Sequence, residues 1–160
     1  MELTPAASVD RQLQVGVKIW LRDVRGRYLL VRRSTDVYAD VPASWDIPGG
    51  RINIGDELLV NLAREIKEET GLSLNLDTPP VLLIAQDIIR PNKHVIRLTY
   101  VGSAAGEIKL DSENVGYCWM TLAEIQRLSD LDEFAHGAVD AGLLEYQPQS
   151  EPAGFPVSQV

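Results

Sequence analysis

The stretch from Gly50 to Leu72 limits what this chain can fold into more than any other. Leu59, Leu62, Ala63 and Ile66 recur at helical spacing, and Gly71 is the residue type that most often closes a helix. On a wheel of about 100° per residue with Glu65 at the origin, Glu69 falls near ~40° and Glu68 near ~300°, while the four apolar residues occupy roughly 60° to 160°. The helix therefore offers one face to a core and, beside it, a stripe of three carboxylates. Neighbouring like charges on a helix repel by a few tenths of a kcal/mol per pair, and Arg64, four residues before Glu68, offsets part of this. Such a stripe is either a solvated face or a seat for a hard cation. Mg²⁺ takes oxygen ligands and leaves its other positions to water and to substrate phosphates.

The rest of the chain reads as strands around this helix. Leu13, Val15, Val17, Ile19 and Leu21 alternate with Gln14, Lys18 and Arg22, the pattern of a half-buried strand. Asp23-Val24-Arg25-Gly26 supplies turn chemistry, so Tyr28–Val31 is expected to return as the second strand of a hairpin. Residues 34–44 read as a polar loop, followed by Trp45-Asp46-Ile47-Pro48-Gly49-Gly50. Asp56 is expected at the helix start, where a carboxylate can cap free N–H groups. Val81–Ile89, Val95–Val101 and Gly116–Met120 read as further strands. Thr121-Leu122-Ala123-Glu124 has the capping-box pattern, and a last helix is expected over Leu131–Leu144. Strands interleaved with helices imply an α/β architecture with helices on a mixed β-sheet. Residues 1–10 are expected to fray, 11–145 to form a single domain, and 146–160, aperiodic and with three prolines, to be a disordered tail.

Gly50, Asp56, Arg64-Glu65-Ile66-Lys67-Glu68-Glu69-Thr70-Gly71-Leu72 and the spacing between them closely resemble the Nudix box. That pattern runs Gly, five residues, Glu, seven residues, then Arg-Glu-aliphatic-x-Glu-Glu-x-Gly-aliphatic. Every fixed position matches except the first acid, where Asp56 stands for Glu, with Glu57 beside it. The lead-in Trp45–Gly49 is similar to the family's as well. The resemblance implies a Nudix-type α/β/α sandwich and Mg²⁺- or Mn²⁺-dependent hydrolysis of a phosphoric anhydride in a nucleoside diphosphate linked to another moiety. Carried over by position, it implies metal ligation by Glu65, Glu68 and Glu69 and by the backbone carbonyl of Gly49. Arg64 would orient a carboxylate, and Glu65 or Glu69 would act in catalysis. A further metal-binding acid would come from a later loop, for which Glu113 is the first candidate, ahead of Asp111 and Glu107.

Charge fits this reading. The 160-residue chain has a net charge of −8, so it lacks the basic footprint of a nucleic-acid-binding protein, and a polyanionic substrate would need metal ions to approach three glutamates. Arg32, Arg33 and Arg51 flank the motif and are candidates to grip phosphates; Arg90, Lys93 and Arg97 form a second basic cluster. The expected substrate is a small nucleotide. A nucleoside triphosphate giving the monophosphate and pyrophosphate stands first, then a nucleotide sugar, ADP-ribose or a dinucleoside polyphosphate. No nucleic acid polymer or membrane partner is expected, the location is expected to be cytoplasmic, and a homodimer is left open. Two rivals are a non-catalytic nucleotide-sensing domain and a diphosphate isomerase, which would need Cys118 as a reactive thiol. Cys118 reads instead as a buried inert one, Trp20, Trp45 and Trp119 as core, and His94 and His136 as surface or structural residues.

Overall fold

The computed structural model describes residues 11–41 and 44–145; the expected frayed N-terminus and disordered tail lie outside them. In chain order the elements are β1 (Gln12–Leu21), β2 (Tyr28–Arg33), β3 (Trp45–Asp46), β4 (Gly49–Arg51), α1 (Leu58–Thr70), β5 (Ser73–Leu74), β6 (Val81–Arg90), β7 (Lys93–Gly102), β8 (Ala104–Ala105), β9 (Asn114–Met120), α2 (Leu122–Gln126) and α3 (Glu133–Asp140). A four-stranded mixed sheet has the order β4-β1-β7-β6, a three-stranded antiparallel sheet the order β3-β2-β9, and β5 pairs with β8. β1 and β7 run parallel, joined over their whole length from Gln12 opposite Lys93 to Leu21 opposite Gly102.

Alternation along β1 sorts its side chains between two cores. Val17, Ile19 and Leu21 pack with Leu29, Leu72 and the buried face of α1, Leu62 and Ile66. Trp20 faces the other way, into a cluster with Tyr28, Leu30, Ile47, Ile125, Leu131, Ala135 and Val139 that α2 and α3 cover. The result is helices on both sides of β-structure, the α/β/α sandwich expected. Trp20 and Tyr28 meet edge to face with ring centroids 5.7 Å apart, and all three tryptophans belong to or pack against a core.

Three local expectations need correction. β1 and β2 are not a simple hairpin. After the Asp23–Arg27 turn they share one isolated bridge, Arg22 with Tyr28, and β2 then pairs with β3 and β9 in the other sheet. Both strands are strongly buried, so each finds more partners in its own layer than in the other. Asp56 does not cap α1. The N-cap is Glu57, without a side-chain hydrogen bond, because Asp56 stays in the loop, where Asn53 Nδ2 donates to its Oδ2 at 3.3 Å. The last helix is shorter than 131–144. It is capped by Asp132, which accepts from the backbone N–H of Phe134 and Ala135, and ends before a turn at Gly142, whose φ is +70°. Gly71 closes α1 in the left-handed conformation, φ +74°, and Thr121 with Glu124 forms the capping box.

Candidate active site

α1 lies against β4, the edge strand of the mixed sheet, and β4 begins Gly49-Gly50. These two glycines let carboxylates approach the strand closely. Gly49 has φ +134°, and a side chain there would strike the Val17 carbonyl; a side chain on Gly50 would overlap the carboxylate of Glu65. The Gly49 N–H donates to Glu69 Oε2 at 2.8 Å. Glu65 and Glu69 are thus held at one end of a cleft of about 690 Å³ that Gly49 and Gly50 also line.

Arg64 organises this end. Its guanidinium donates to Glu65 Oε1 at 2.8 Å, to Glu68 Oε2 at 2.9 Å and to Asn61 Oδ1 at 3.0 Å. Asn61, fully buried, also accepts the Asn53 N–H at 2.9 Å and so ties the loop before α1 to the helix. Sequence reasoning missed Asn61. Its signal was position: about 320° on the wheel, inside the carboxylate stripe between Glu68 and Glu65. Glu68 is drawn toward Arg64 and stays largely exposed, outside the cleft lining. Accordingly, the described residues contain no cluster of three or more acidic, histidine or cysteine side chains placed to enclose an ion.

Burial pushes the Glu69 carboxyl up to about 7, and the nearby Glu65 and Asp111 carboxylates add to the effect; Lys18 and the Gly49 N–H oppose it. Glu65 is shifted in the same direction, again first by burial, with Arg64 opposing. Two part-buried carboxylates, both raised by burial and by a neighbouring carboxylate, with no cation in contact with Glu69 among the described residues, fit a hard divalent ion. Such an ion needs few protein oxygens and completes its coordination with water and phosphate. Glu113 stands on the same cleft, its carboxylate accepting from the Tyr38 hydroxyl at 2.9 Å; burial and Glu113 push Tyr38 up to about 12.

Beneath the cleft lies a charge network that the sequence did not reveal. Asp46, 2% exposed, accepts from Arg33 at 2.6 Å, Lys18 at 3.0 Å and Arg97 at 3.4 Å. Asp132 accepts from Arg97 at 2.8 Å and Arg33 at 3.2 Å. Three cations against two carboxylates leave this floor net positive. Arg33 is therefore engaged in the floor, Arg51 lines the cleft beside Gln14, and Arg32 is exposed and outside the lining. Arg90, Lys93 and Arg97 all line the cleft, as do Ile88 and Phe134. Cys118 does not line it; the thiol is half-buried against the Trp119 carbonyl at 3.8 Å. His94 and His136 pair with Asp87 and Asp140 outside the cleft.

The NUDIX domain model matches residues 12–141. A Danio rerio protein named m7GpppN-mRNA hydrolase NUDT17 is 32% identical over 110 residues, which are 61% of this chain and 35% of that protein. This chain thus spans about a third of the length of that relative. A Mycobacterium tuberculosis (strain H37Rv) protein named "Putative 8-oxo-dGTP diphosphatase 2" is 29% identical over 102 residues, 64% of this chain and 70% of that protein. Among solved structures, the MutT protein from Methanosarcina mazei Go1 superposes with a TM-score of 0.66 at 26% identity, covering 86% of this chain and 94% of that one. MutT NUDIX hydrolase from Burkholderia pseudomallei does so at 0.67 and 23% identity, covering 81% and 98%, a likeness of fold.

Proposed function

This chain belongs to the Nudix hydrolase family, and from that premise we propose that it is a divalent-metal-dependent hydrolase of a phosphoric anhydride in a small nucleotide. The observation that carries the proposal is the pairing of Glu65 and Glu69 against the side-chain-free Gly49-Gly50 edge, at the acidic end of a cleft whose floor and far end are basic. The first substrate class is a nucleoside triphosphate, cleaved to the monophosphate and pyrophosphate. The name of the Mycobacterium relative supports that class. The name of the Danio relative adds a capped RNA 5′ end to the substrates worth assaying. The proposal includes Mg²⁺ or Mn²⁺ as cofactor and a cytoplasmic location, and leaves homodimerisation to a mass measurement in solution. No described helix is long and apolar enough to cross a membrane.

Glu65 and Glu69, joined by Glu68 on release from Arg64 and by Glu113 across the cleft, would hold the ion, with the Gly49 carbonyl as a backbone ligand. Bound there, a divalent ion supplies charge neutralisation for the diphosphate and acidifies a water. The protein's own groups do the rest. Arg64 fixes the Glu65 carboxylate through Oε1 and leaves Oε2 toward Gly50. A part-buried glutamate with a raised proton affinity, Glu65 or Glu69, is suited to take the proton of the attacking water. Lys18, Arg33 and Arg97 present a net positive floor to the phosphates, and their pairing with Asp46 and Asp132 holds them in place before substrate arrives.

The test is product formation, resolved by ion-exchange chromatography, from a panel of nucleoside triphosphates, oxidised ones included, nucleotide sugars, ADP-ribose, dinucleoside polyphosphates and capped RNA. It is run with Mg²⁺, with Mn²⁺ and after chelation. Turnover that chelation abolishes and Glu69→Gln lowers at least 100-fold is expected. Equal turnover by Glu69→Gln would remove the assignment, and nucleotide binding without turnover would favour the sensing domain.

A further inference from the structure

The register of the mixed sheet lays the cleft out as successive rows. Gly49 and Lys18 share one row with Thr99; Arg51, Gly16, Arg97 and Gln86 form the next; Gln14, Val95 and Ile88 form a third; Gln12, Lys93 and Arg90 form the last. The first row lies at the carboxylates. Six residues of β1 separate it from the last, about 20 Å at the rise of a strand. A diphosphate spans only a few ångströms, so cations in the last row lie beyond the reach of the scissile group. Arg51, Arg90 and Lys93 nonetheless line this one cleft, in a chain whose net charge is −8. They differ from the floor cations. Lys18, Arg33 and Arg97 are held in ion pairs with Asp46 and Asp132. Arg51 is held by the neutral Gln14 amide at 3.1 Å, and Arg90 has only an exposed pairing with Glu133 at 3.2 Å, the kind that contributes little and exchanges readily. No carboxylate pairs with Lys93 among the described residues.

We propose that Arg90 and Lys93 form a second anion site at the far end of the cleft, with Arg51 one row from the carboxylates, and that the site favours, among small nucleotides, those whose linked moiety carries a phosphate of its own. The substrate class rests on the hydrolase reading above; the site does not. The carboxylate end repels anions when no divalent ion is bound and the floor cations are held by Asp46 and Asp132, so a polyphosphate added to metal-free protein meets the cleft's least-paired cations at Arg90 and Lys93. Ile88, one row nearer the carboxylates, and Phe134 of α3, whose ring lies under Arg97, give an apolar stretch on which a base or sugar can lie between the two charged ends. Arg90 and Lys93 face each other across the β6–β7 turn and present separate donors to one group.

Inorganic tripolyphosphate titrated calorimetrically into the metal-free full chain tests the site. One-to-one binding is expected, steeply weakened by salt, at least tenfold weaker in the Arg90→Ala/Lys93→Ala double variant and unchanged in Arg127→Ala, a cation outside the cleft. No binding at millimolar concentration, or equal weakening by Arg127→Ala, overturns the site. ADP-ribose and its 1″-phosphate, hydrolysed in Mg²⁺, test the substrate class. The phosphorylated member should show a KM at least fivefold lower with kcat unchanged, and the double variant should erase the difference. Equal KM values, or turnover of nucleoside triphosphates alone, overturn the class. A protein that binds tripolyphosphate but hydrolyses nothing overturns the hydrolase reading and leaves the site standing.

Discussion

Replacing Asp46 by asparagine keeps the shape of the side chain and deletes one charge from beneath the cleft. In the wild type that carboxylate is buried, accepts from Lys18, Arg33 and Arg97, and also receives the Ile47 N–H at 2.8 Å. Without its charge, Arg33 and Arg97 keep Asp132 as a carboxylate partner, and Lys18 keeps the Ile47 carbonyl. Removing one partner of a buried ionic network typically costs about 3–5 kcal/mol, a large share of the roughly 5–15 kcal/mol that holds a domain together. The pH dependence follows from the direction of the shift. The three cations hold the Asp46 carboxyl well below the usual carboxylate range despite its burial. Its contribution is therefore complete above the unfolded value of about 3.9 and declines as pH falls toward the depressed folded one. At pH 3, nearly one pH unit below the unfolded value, about 1 kcal/mol of the difference between wild type and Asp46→Asn should be gone, at 1.36 kcal/mol per unit. Urea unfolding followed by circular dichroism at pH 7 and pH 3 measures both quantities. A loss under about 1 kcal/mol at pH 7, or a difference that does not shrink at pH 3, would refute the account of the network.

Two further substitutions separate chemistry from stability. Gly50→Ala places a methyl group where the Glu65 carboxylate lies; displacing that group by an ångström should lower kcat about 100-fold while the thermal midpoint moves little, read by turnover and calorimetry on one preparation. Ile66→Ala empties a fully buried position under the same helix and should cost about 2–5 kcal/mol in urea unfolding.

What could be read in advance was what local periodicity and spacing encode. The strand over Leu13–Leu21, the helix ended by Gly71 and the box at Thr121 all have local causes, and all are present, although Leu13 is exposed and Trp20 makes the strand buried on both faces toward its end. The turn at Asp23 was visible as a turn, but the split of β1 and β2 between two sheets depends on β7 and β9, far along the chain, and no local signal reports it. The carboxylates of α1 were legible because their spacing is short. The floor was not: Asp46, Arg97 and Asp132 come from β3, β7 and the cap of α3, and each alone resembles a solvated charge. Asp56 shows the opposite error, a correct rule applied to the wrong neighbour, since Asn53 holds it in the loop.

The parallel pairing of β1 with β7 has a consequence for the order of events during synthesis. Gln12 opposes Lys93 and Leu21 opposes Gly102, so the ladder closes a long loop whose whole length must be made first. Non-local pairings of this kind are slow to form. Until Gly102 has left the ribosome, β1 lacks its longest partner, and Lys18 and the Gly49-Gly50 edge wait beside an empty place in the sheet. The β2, β3 and α1 segments emerge before it is filled. What stays open is the backbone edge of β1, a row of unpaired N–H and C=O groups, at the stage when nascent chains are most exposed to aggregation.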